Sequence, residues 1–197
     1  MEAGNMNVLK AETLEEKEKL AKNIIIDNIK KAKNPFVLFD GDNYSLIILH
    51  MVREIQKTPV LFVDTSLEFE EIHRFVEKMR KLWRFDLIKE VNKINVDDVQ
   101  RSFQLRAEVI KNAAKKHNID LLFTDLESMD GSFVNPISTF SKEDIWNYIK
   151  KYNLPYCSLY DKGYEVIDFK PCAKIKDMPE QKDEEIIKEK LKKLGYL

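Results

Sequence analysis

Residues 34–51 read NPFVLFDGDNYSLIILHM, and this stretch decides the fold. Phe36 to Phe39 form a short apolar run that is typical of a buried strand, and a helical pattern of apolar residues begins at Leu46. Between them lies the polar turn Asp40 to Ser45. A strand, a glycine-bearing turn and a helix together present free N–H groups at the helix N-terminus, where they bind anions such as phosphate. The layout therefore predicts an anion site, although two carboxylates are an unusual lining for one.

The composition is that of a highly charged globular protein. The 197 residues include 33 Lys+Arg and 34 Asp+Glu, which gives a net charge of −1, and 44% are hydrophobic. This balance provides no bulk attraction for nucleic acid or for an anionic membrane. The abundance of Lys and Glu and the presence of only 5 Gly are compatible with a thermophilic source.

The sequence also indicates the cellular compartment of the protein. No apolar run approaches the roughly 20 residues that span a bilayer, and residues 1–20 lack the basic-then-apolar order of a signal peptide. Two cysteines, Cys157 and Cys172, indicate a reducing interior rather than a disulfide framework. We therefore expect a cytoplasmic protein with neither a membrane nor a nucleic-acid partner.

Short apolar strands alternate with amphipathic helices along most of the chain. Strands are predicted at residues 36–39, 58–65, 86–91, 119–124 and 133–137, and helices at 13–33, 46–52, 69–82, 97–117, 141–152 and 179–194. This alternation predicts an α/β fold with three layers around a doubly wound, mainly parallel sheet of five strands. We expect one domain, in which residues 1–12 are loosely ordered, 13–33 form an N-terminal helix, 34–152 form the α/β core, and 153–197 form a loop-rich region with a final helix.

The ligand crevice of such a sheet lies outside the carboxyl ends of its strands. Three polar segments follow predicted strands and should meet there: Asp40 to Ser45, Asp64 to Ser66 and Asp125 to Gly131.

Two longer stretches carry a family resemblance. They are VLFVDTSLEFEEIHRFVEKM at residues 60–79 and VNPISTFSKEDIWNYIKKYNLPYCSLYDKGY at residues 134–164. Both resemble the phosphoadenylyl-sulfate (PAPS) reductase family, within the adenine-nucleotide α-hydrolase-like group that includes the small subunit of bacterial ATP sulfurylase and the FMN adenylyltransferases. The resemblance covers residues 36–172 and implies an adenine-nucleotide ligand and a relation to sulfur metabolism or adenylyl transfer. It implies the nucleotide-binding candidates Asp40, Gly41, Asp42, Asn43, Ser45, Asp64 and Thr65.

The phosphate-binding loop departs from the family pattern. The family reads Ser-Gly-Gly-Lys-Asp-Ser where this chain has Asp40 to Ser45, so that only Gly41 and Ser45 remain. Asn43 stands in place of the phosphate-neutralising lysine. Each carboxylate a few ångströms from a phosphate opposes binding by roughly 1 kcal/mol in a wet site. We therefore interpret the turn as a degenerate phosphate (PP) loop.

Two further family features are absent. The arginines of the family's Gly-(Ile/Leu)-Arg-Arg-x-Glu-Ser motif are missing from Asp125 to Gly131, and no other side chain there supplies guanidinium geometry. Two cysteines cannot ligate a four-iron cluster, so no iron–sulfur cluster is expected. Cys172 is the one candidate for the thiol nucleophile that reductase chemistry requires.

Asp40 and Asp42 have two competing interpretations. They could ligate Mg²⁺ together with an adenine nucleotide, since hard carboxylates suit that ion. The favoured interpretation is that one of them caps the following helix. The three histidines, His50, His73 and His117, are separated in sequence, so no metal site is expected from them. The aromatic residues of the C-terminal half are interpreted as packing: Trp146, Tyr148, Tyr156 and Tyr160.

Three hypotheses of function follow. The first is a PAPS-reductase-like protein with decayed catalytic motifs, a pseudoenzyme that acts as a binding or scaffolding module with a paralogous partner or as a homo-oligomer. The alternative is an active adenine-nucleotide enzyme, a PAPS or adenylyl-sulfate reductase or an adenylyltransferase, with a metal-assisted phosphate loop. The third is a structural protein without a ligand.

Overall fold

The computed structural model describes residues 13–93, 102–126, 131–167, 170 and 173–175. The helices are α1 (Leu14–Ile29), α2 (Asn43–Ile55), α3 (Glu70–Trp83), α4 (Ser102–Lys116) and α5 (Lys142–Lys151). The strands are β1 (Pro35–Leu38), β2 (Val60–Asp64), β3 (Leu87–Val91), β4 (Leu121–Phe123), β5 (Phe133–Val134), β6 (Tyr164–Val166) and β7 (Lys174–Ile175). A 3₁₀ turn spans Tyr160–Lys162.

The first five strands form one sheet in the order β3-β2-β1-β4-β5. All four pairings in it are parallel, which confirms the predicted five-stranded sheet. The chain moves outward from β1 to β3 and then returns to place β4 on the other side of β1. The strand order therefore reverses between β1 and β4, and parallel sheets bind ligands at the carboxyl edge of this point.

Two buried clusters cover the two faces of the sheet. Successive side chains of a strand point to opposite faces, so Val37 and Phe39 pack towards one helical layer while Phe36 and Leu38 pack towards the other. The first layer consists of α1, α2, α3 and α5. The second contains Ile110 of α4. The predicted three-layer arrangement is confirmed.

Helix α1 begins where it was predicted, at a capping box in which Thr13 and Glu16 exchange side-chain and backbone hydrogen bonds. It ends at Ile29 rather than near Lys33, so the predicted C-terminal boundary was wrong. The physical reason is Asp120, whose carboxylate accepts the backbone N–H groups of Lys33 at 2.7 Å and Asn34 at 2.9 Å. These bonds turn the chain into β1 before the helix can continue.

The C-terminal region contains more regular structure than predicted. A small antiparallel sheet of β6 and β7 follows the 3₁₀ turn, where only loop was expected. The predicted segments 1–12, 97–101 and 179–194 lie outside the described residues. Within the described part of the chain, no helix combines the length and the apolarity needed to cross a membrane.

Candidate functional site

The turn after β1 is pressed closely against α3. Gly41 has φ +85°, a left-handed conformation that glycine adopts without the steric penalty of a side chain. A Cβ atom at this position would lie 3.1 Å from Cγ2 of Ile72. Glycine is therefore required here both for its backbone conformation and for space.

Asp42 is the N-cap of α2. Its backbone is extended, and its Oδ1 accepts the N–H of Ser45 at 2.7 Å. The cap satisfies one of the free donors that a helix N-terminus would otherwise offer to an anion. The favoured interpretation of the two aspartates is thus confirmed for Asp42.

A second donor of the same helix end is engaged by Tyr160. The backbone N–H of Asn43 donates to the Tyr160 hydroxyl at 3.1 Å. Burial, together with the negative charges of Asp42 and Asp40, raises the pKa of Tyr160, so its hydroxyl is neutral. Packing was predicted for this tyrosine, and it does contact Trp146, but its bond to the turn was missed.

Asp40 is held by an arginine that sequence reasoning overlooked. Arg106 Nη2 of α4 lies 2.7 Å from Asp40 Oδ2, and both side chains are 7% exposed. Both acids of the loop were expected to oppose phosphate through their charge, but the charge of Asp40 is paired with that of Arg106. One signal was available: Arg106 precedes Val109, Ile110 and Ala113 at helical spacing, so it belongs to the buried stripe of α4.

Two acceptors in the turn have no hydrogen-bond partner within the described part of the chain. Oδ1 of Asp40 and Oδ1 of Asn43 are buried and unpartnered among the described residues. Leaving such a group unpaired costs roughly 1–3 kcal/mol, and groups of this kind call for an explanation in a native structure. The turn is therefore held in place by several contacts, while two of its hydrogen-bond acceptors have no partner among the described residues.

The turn after β2 makes a separate hydrogen-bond network. Thr65 donates its backbone N–H to Glu68 Oε2 at 2.9 Å and its hydroxyl to Glu68 Oε1 at 2.6 Å. Asp64 accepts the backbone N–H of Ser66 at 2.9 Å, and its Oδ2 lies 2.7 Å from Lys89 Nζ. The nucleotide-binding candidates Asp64 and Thr65 are thus engaged by protein groups.

The two acids of this turn differ electrostatically. Burial alone would raise the pKa of Asp64, but the hydrogen bonds from Lys89 and from the Ser66 N–H hold that pKa below its usual value. Burial raises the pKa of Glu68, although its bonds from Thr65 act in the opposite direction. Asp64 is therefore a compensated carboxylate, whereas Glu68 is an acid with a substantial desolvation penalty.

The third predicted segment is described only in part. The hydroxyl of Thr124 accepts the N–H of Leu126 at 3.2 Å, and Asn135 Nδ2 donates to the carbonyl of Asp125 at 3.2 Å. Residues 127–130 lie outside the described residues. Their predicted loss of oxyanion recognition stays a prediction.

The two cysteines do not form a described thiol site. Cys157 is fully buried, and burial raises the pKa of its thiol, which disfavours the reactive thiolate. Cys172 lies outside the described residues, so its candidacy as a nucleophile stays a prediction.

The three histidines occupy separate environments. His50 Nδ1 is 2.8 Å from the Tyr148 hydroxyl, and His117 contacts Glu90. The nitrogen Nδ1 of His73 lies 3.9 Å from Asp64 Oδ2. His73 thus joins the acids of the second turn, a grouping that the sequence separation had concealed.

Comparison with known proteins shows which family the sequence matches. The family profile described as "Phosphoadenosine phosphosulfate reductase domain" matches residues 34–124 and 109–174. An adenosine 5'-phosphosulfate reductase of Bacillus thuringiensis is 20% identical over 159 residues, which cover 65% of this chain and 68% of the relative.

Two solved structures share the fold. The phosphate complex of phosphoadenylyl-sulfate (PAPS) reductase from Candida auris has a TM-score of 0.65 at 17% identity, covering 81% of this chain and 96% of that one. An FMN adenylyltransferase of Candida glabrata, in complex with FAD and inorganic pyrophosphate, has a TM-score of 0.63 at 14% identity, covering 79% of this chain and 62% of that one.

Proposed function

Because this chain belongs to the phosphoadenosine phosphosulfate reductase domain family, we propose that it is a member with decayed catalytic motifs that acts as a binding or scaffolding module. The observation that carries the proposal is the state of the α2 N-terminus. Two of the four N–H groups that a helix N-terminus leaves free are engaged by the protein itself: Asn43 donates to Tyr160 and Ser45 donates to Asp42. The acid beside them is paired with Arg106. Groups that would bind a phosphoryl or sulfuryl oxygen are used to hold the protein together.

The chemistry of the loop supports this proposal. Asn43 provides no positive charge where phosphate needs one, and Arg106 is committed to Asp40. An oxyanion that drew the Arg106 guanidinium away from Asp40 would leave that carboxylate buried without its partner. Breaking a buried pair in this way costs about 3–5 kcal/mol, which works against nucleotide phosphates in this position.

One of the two thiols, that of Cys157, supports it as well. Reduction of a sulfonucleotide needs a thiolate that attacks sulfur. Cys157 is buried with a raised pKa, which leaves Cys172 as the other thiol of the sequence.

A direct assay tests the proposal. The protein is incubated with PAPS or adenylyl sulfate and a thiol donor, and sulfite is measured. We expect no sulfite above the background of a protein-free reaction. Sulfite production that disappears in Cys172→Ser, but persists in Cys157→Ser, would overturn the proposal and identify the nucleophile.

The second candidate is an active adenine-nucleotide enzyme with a metal-assisted phosphate loop. The observation that favours it is the pair of unpartnered, buried oxygens Asp40 Oδ1 and Asn43 Oδ1, because a carboxylate and an amide oxygen are both suitable Mg²⁺ ligands. Against it, the other oxygen of Asp40 already pairs with Arg106.

Thermal stabilisation separates the two candidates. Unfolding is followed with ATP, PAPS, adenylyl sulfate or AMP, each with and without Mg²⁺. A ligand at 100 times its dissociation constant adds about 2.7 kcal/mol of stability. A shift that requires both Mg²⁺ and ATP, and that Asp40→Asn abolishes, supports the enzyme. Stabilisation by AMP independently of Mg²⁺ supports a nucleoside-binding module, and no shift with any nucleotide supports a scaffold.

A further inference from the structure

Three potential metal ligands meet beside the carboxyl end of β2. One ligand atom from each of Asp64, Glu68 and His73 lies within 4.8 Å of the others. Asp64 ends the strand, Glu68 lies in the turn, and His73 is in the first turns of α3. The cluster thus joins a strand end and a helix across the turn after β2.

Neighbouring residues hold the side chains of Glu68 and His73 near the positions that metal ligands would need. Glu68 is 3% exposed and is oriented by both of its bonds from Thr65. The His73 ring packs edge-on against Phe62 with its centroid 5.5 Å away. In a tetrahedral zinc site with bonds of about 2.0–2.1 Å, ligand atoms lie roughly 3.3 Å apart. The ligand atoms of the cluster, within 4.8 Å of one another, would have to move closer together to bind an ion.

Charge favours a cation at this place. Glu68 is nine-tenths buried, and it forms no ion pair with any residue in the described ranges. Burying a carboxylate without a countercharge is costly. The charge of Arg106 and the two bonds from Thr65 act on Glu68, and a cation bound between Glu68 and Asp64 would add to that compensation.

Lys89 shows that the position accepts positive charge. Its Nζ lies 2.7 Å from Asp64 Oδ2, on the same oxygen that lies nearest to His73. The Lys89 side chain is 46% exposed and comes from the edge strand β3. It can therefore leave the carboxylate for solvent at little cost when another cation arrives.

The donor set points to a particular class of ion. An imidazole nitrogen is a poor ligand for Mg²⁺ and Ca²⁺, which prefer oxygen, and a good one for zinc and its neighbours. Three protein ligands from two carboxylates and one imidazole leave a fourth position for water or a ligand oxygen.

We propose that Asp64, Glu68 and His73 form a binding site for a divalent transition-metal ion such as Zn²⁺, with Lys89 as the internal cation that the metal displaces. The site lies after β2, separate from the phosphate loop. It stands independently of the proposed function, because its test uses the metal alone.

The test is a Zn²⁺ titration of untagged, metal-free protein against a chromogenic chelator. It is carried out in a Cys172→Ser background, so that this thiol contributes nothing. We expect one equivalent of Zn²⁺ to bind. His73→Ala and Glu68→Gln should each weaken binding by at least about 100-fold, the upper end of what losing even an outer-shell partner costs.

Two variants make the test specific. Lys89→Met should tighten Zn²⁺ binding, because the competing ammonium is gone. His117→Ala is the matched control, because His117 contacts Glu90 but belongs to no described three-ligand group. It should leave the affinity unchanged.

Several results would overturn the proposal. One is Zn²⁺ affinity that is equal in wild type and His73→Ala, when both unfold at the same temperature. Others are a stronger effect of His117→Ala than of His73→Ala, or weaker binding in Lys89→Met. If His73→Ala is unfolded, His73→Gln replaces it, since it retains the size of the side chain.

Discussion

The turns after β1 and β2 each follow a buried parallel strand with an aspartate, but they compensate that aspartate differently. Asp40 pairs with Arg106, and both side chains are 7% exposed. Asp64 pairs with Lys89, whose side chain is 46% exposed. Both distances are 2.7 Å, so the geometry of the contact does not distinguish them.

Burial is what distinguishes the two pairs. Both aspartates are buried, with 5% and 8% exposure, so the difference lies in the cation. Separating Arg106 from Asp40 leaves two buried charges unpaired, whereas the exposed Lys89 ammonium can move into water. The turn after β1 is therefore a fixed structural element. The turn after β2 is the place where an incoming cation can replace a protein group.

Removing the two cations gives the largest expected difference. Arg106→Met leaves Asp40 buried and uncompensated, so we expect it to lower the free energy of unfolding by about 3–5 kcal/mol. Lys89→Met should lower it by less, because the buried Asp64 keeps its bond from the Ser66 N–H. Urea denaturation measures both. The double variant Asp40→Leu/Arg106→Met should recover much of the loss, and equal effects of the two single variants would break the comparison.

Substitution of Gly41, in the turn after β1, should have the second-largest effect on the free energy of unfolding. Gly41→Ala should cost more than the roughly 1–2 kcal/mol of a left-handed alanine, because the new Cβ would also lie 3.1 Å from Ile72. Gly131→Ala is the control, since Gly131 has φ +73° but no atom of the described residues lies within 4 Å of its added Cβ. The difference between their urea midpoints reports the packing of the turn alone. Equal costs would show that Ile72 moves aside.

The helix cap gives a smaller effect. Asp42→Ala removes the acceptor for the Ser45 N–H, and we expect a loss of about 1 kcal/mol. Asp42→Ser should restore most of it. Thr13→Ala, at the exposed cap of α1, should cost less because water can satisfy the freed donor. A larger loss at Thr13 would contradict the view that burial makes the first turn rigid.

The smallest effect concerns pH and a residue outside both turns. Burial lowers the pKa of His50 in the folded protein, whereas the unfolded chain titrates near its ordinary value of about 6.5. Above that pH, His50 is neutral in both the folded and the unfolded state, so its contribution to stability does not depend on pH. As the pH falls below it, the unfolded state takes up the proton more readily, so stability declines.

Unfolding free energies between pH 5 and 8 check this expectation. His50→Gln should reduce the loss of unfolding free energy as the pH falls. Lys89→Met should not affect the contribution of His50 to that loss. A decline that is identical in wild type and His50→Gln would assign the pH dependence elsewhere.

The layout of the fold was predictable from the sequence, because it depends on patterns that act locally. Apolar runs gave the strands, and Thr13 and Ser141 marked helix starts whose capping boxes are present. The cap at Asp42 was predictable for the same reason. Boundaries set by distant residues were not: α1 ends early because of Asp120, which lies far along the chain.

The contents of the site were less predictable, because its main contacts join distant segments. Arg106 reaches Asp40 from α4, and Tyr160 reaches Asn43 from the 3₁₀ turn. No local pattern encodes either pairing. The proximity of His73 to Asp64 was equally hidden, since it depends on how the turn after β2 folds back onto α3.

The order of strands has a consequence for the folding kinetics. Val37 of β1 pairs with Val60 of β2, one helix later, whereas Pro35 pairs with Leu121 of β4 only after two further helices and strand β3. Closing this longer loop costs more chain entropy, so we expect β1, β2 and β3 to associate first and to form the folding nucleus, onto which β4 and α4 then dock.

On that order, the bond between Asp40 and Arg106 forms after the rate-limiting step. Arg106→Met should then accelerate unfolding and leave the refolding rate nearly unchanged, a result that stopped-flow chevron plots would show. A refolding rate that falls as much as stability does would place α4 in the nucleus instead. The buried pair thus governs how long the sheet stays closed rather than how fast it forms.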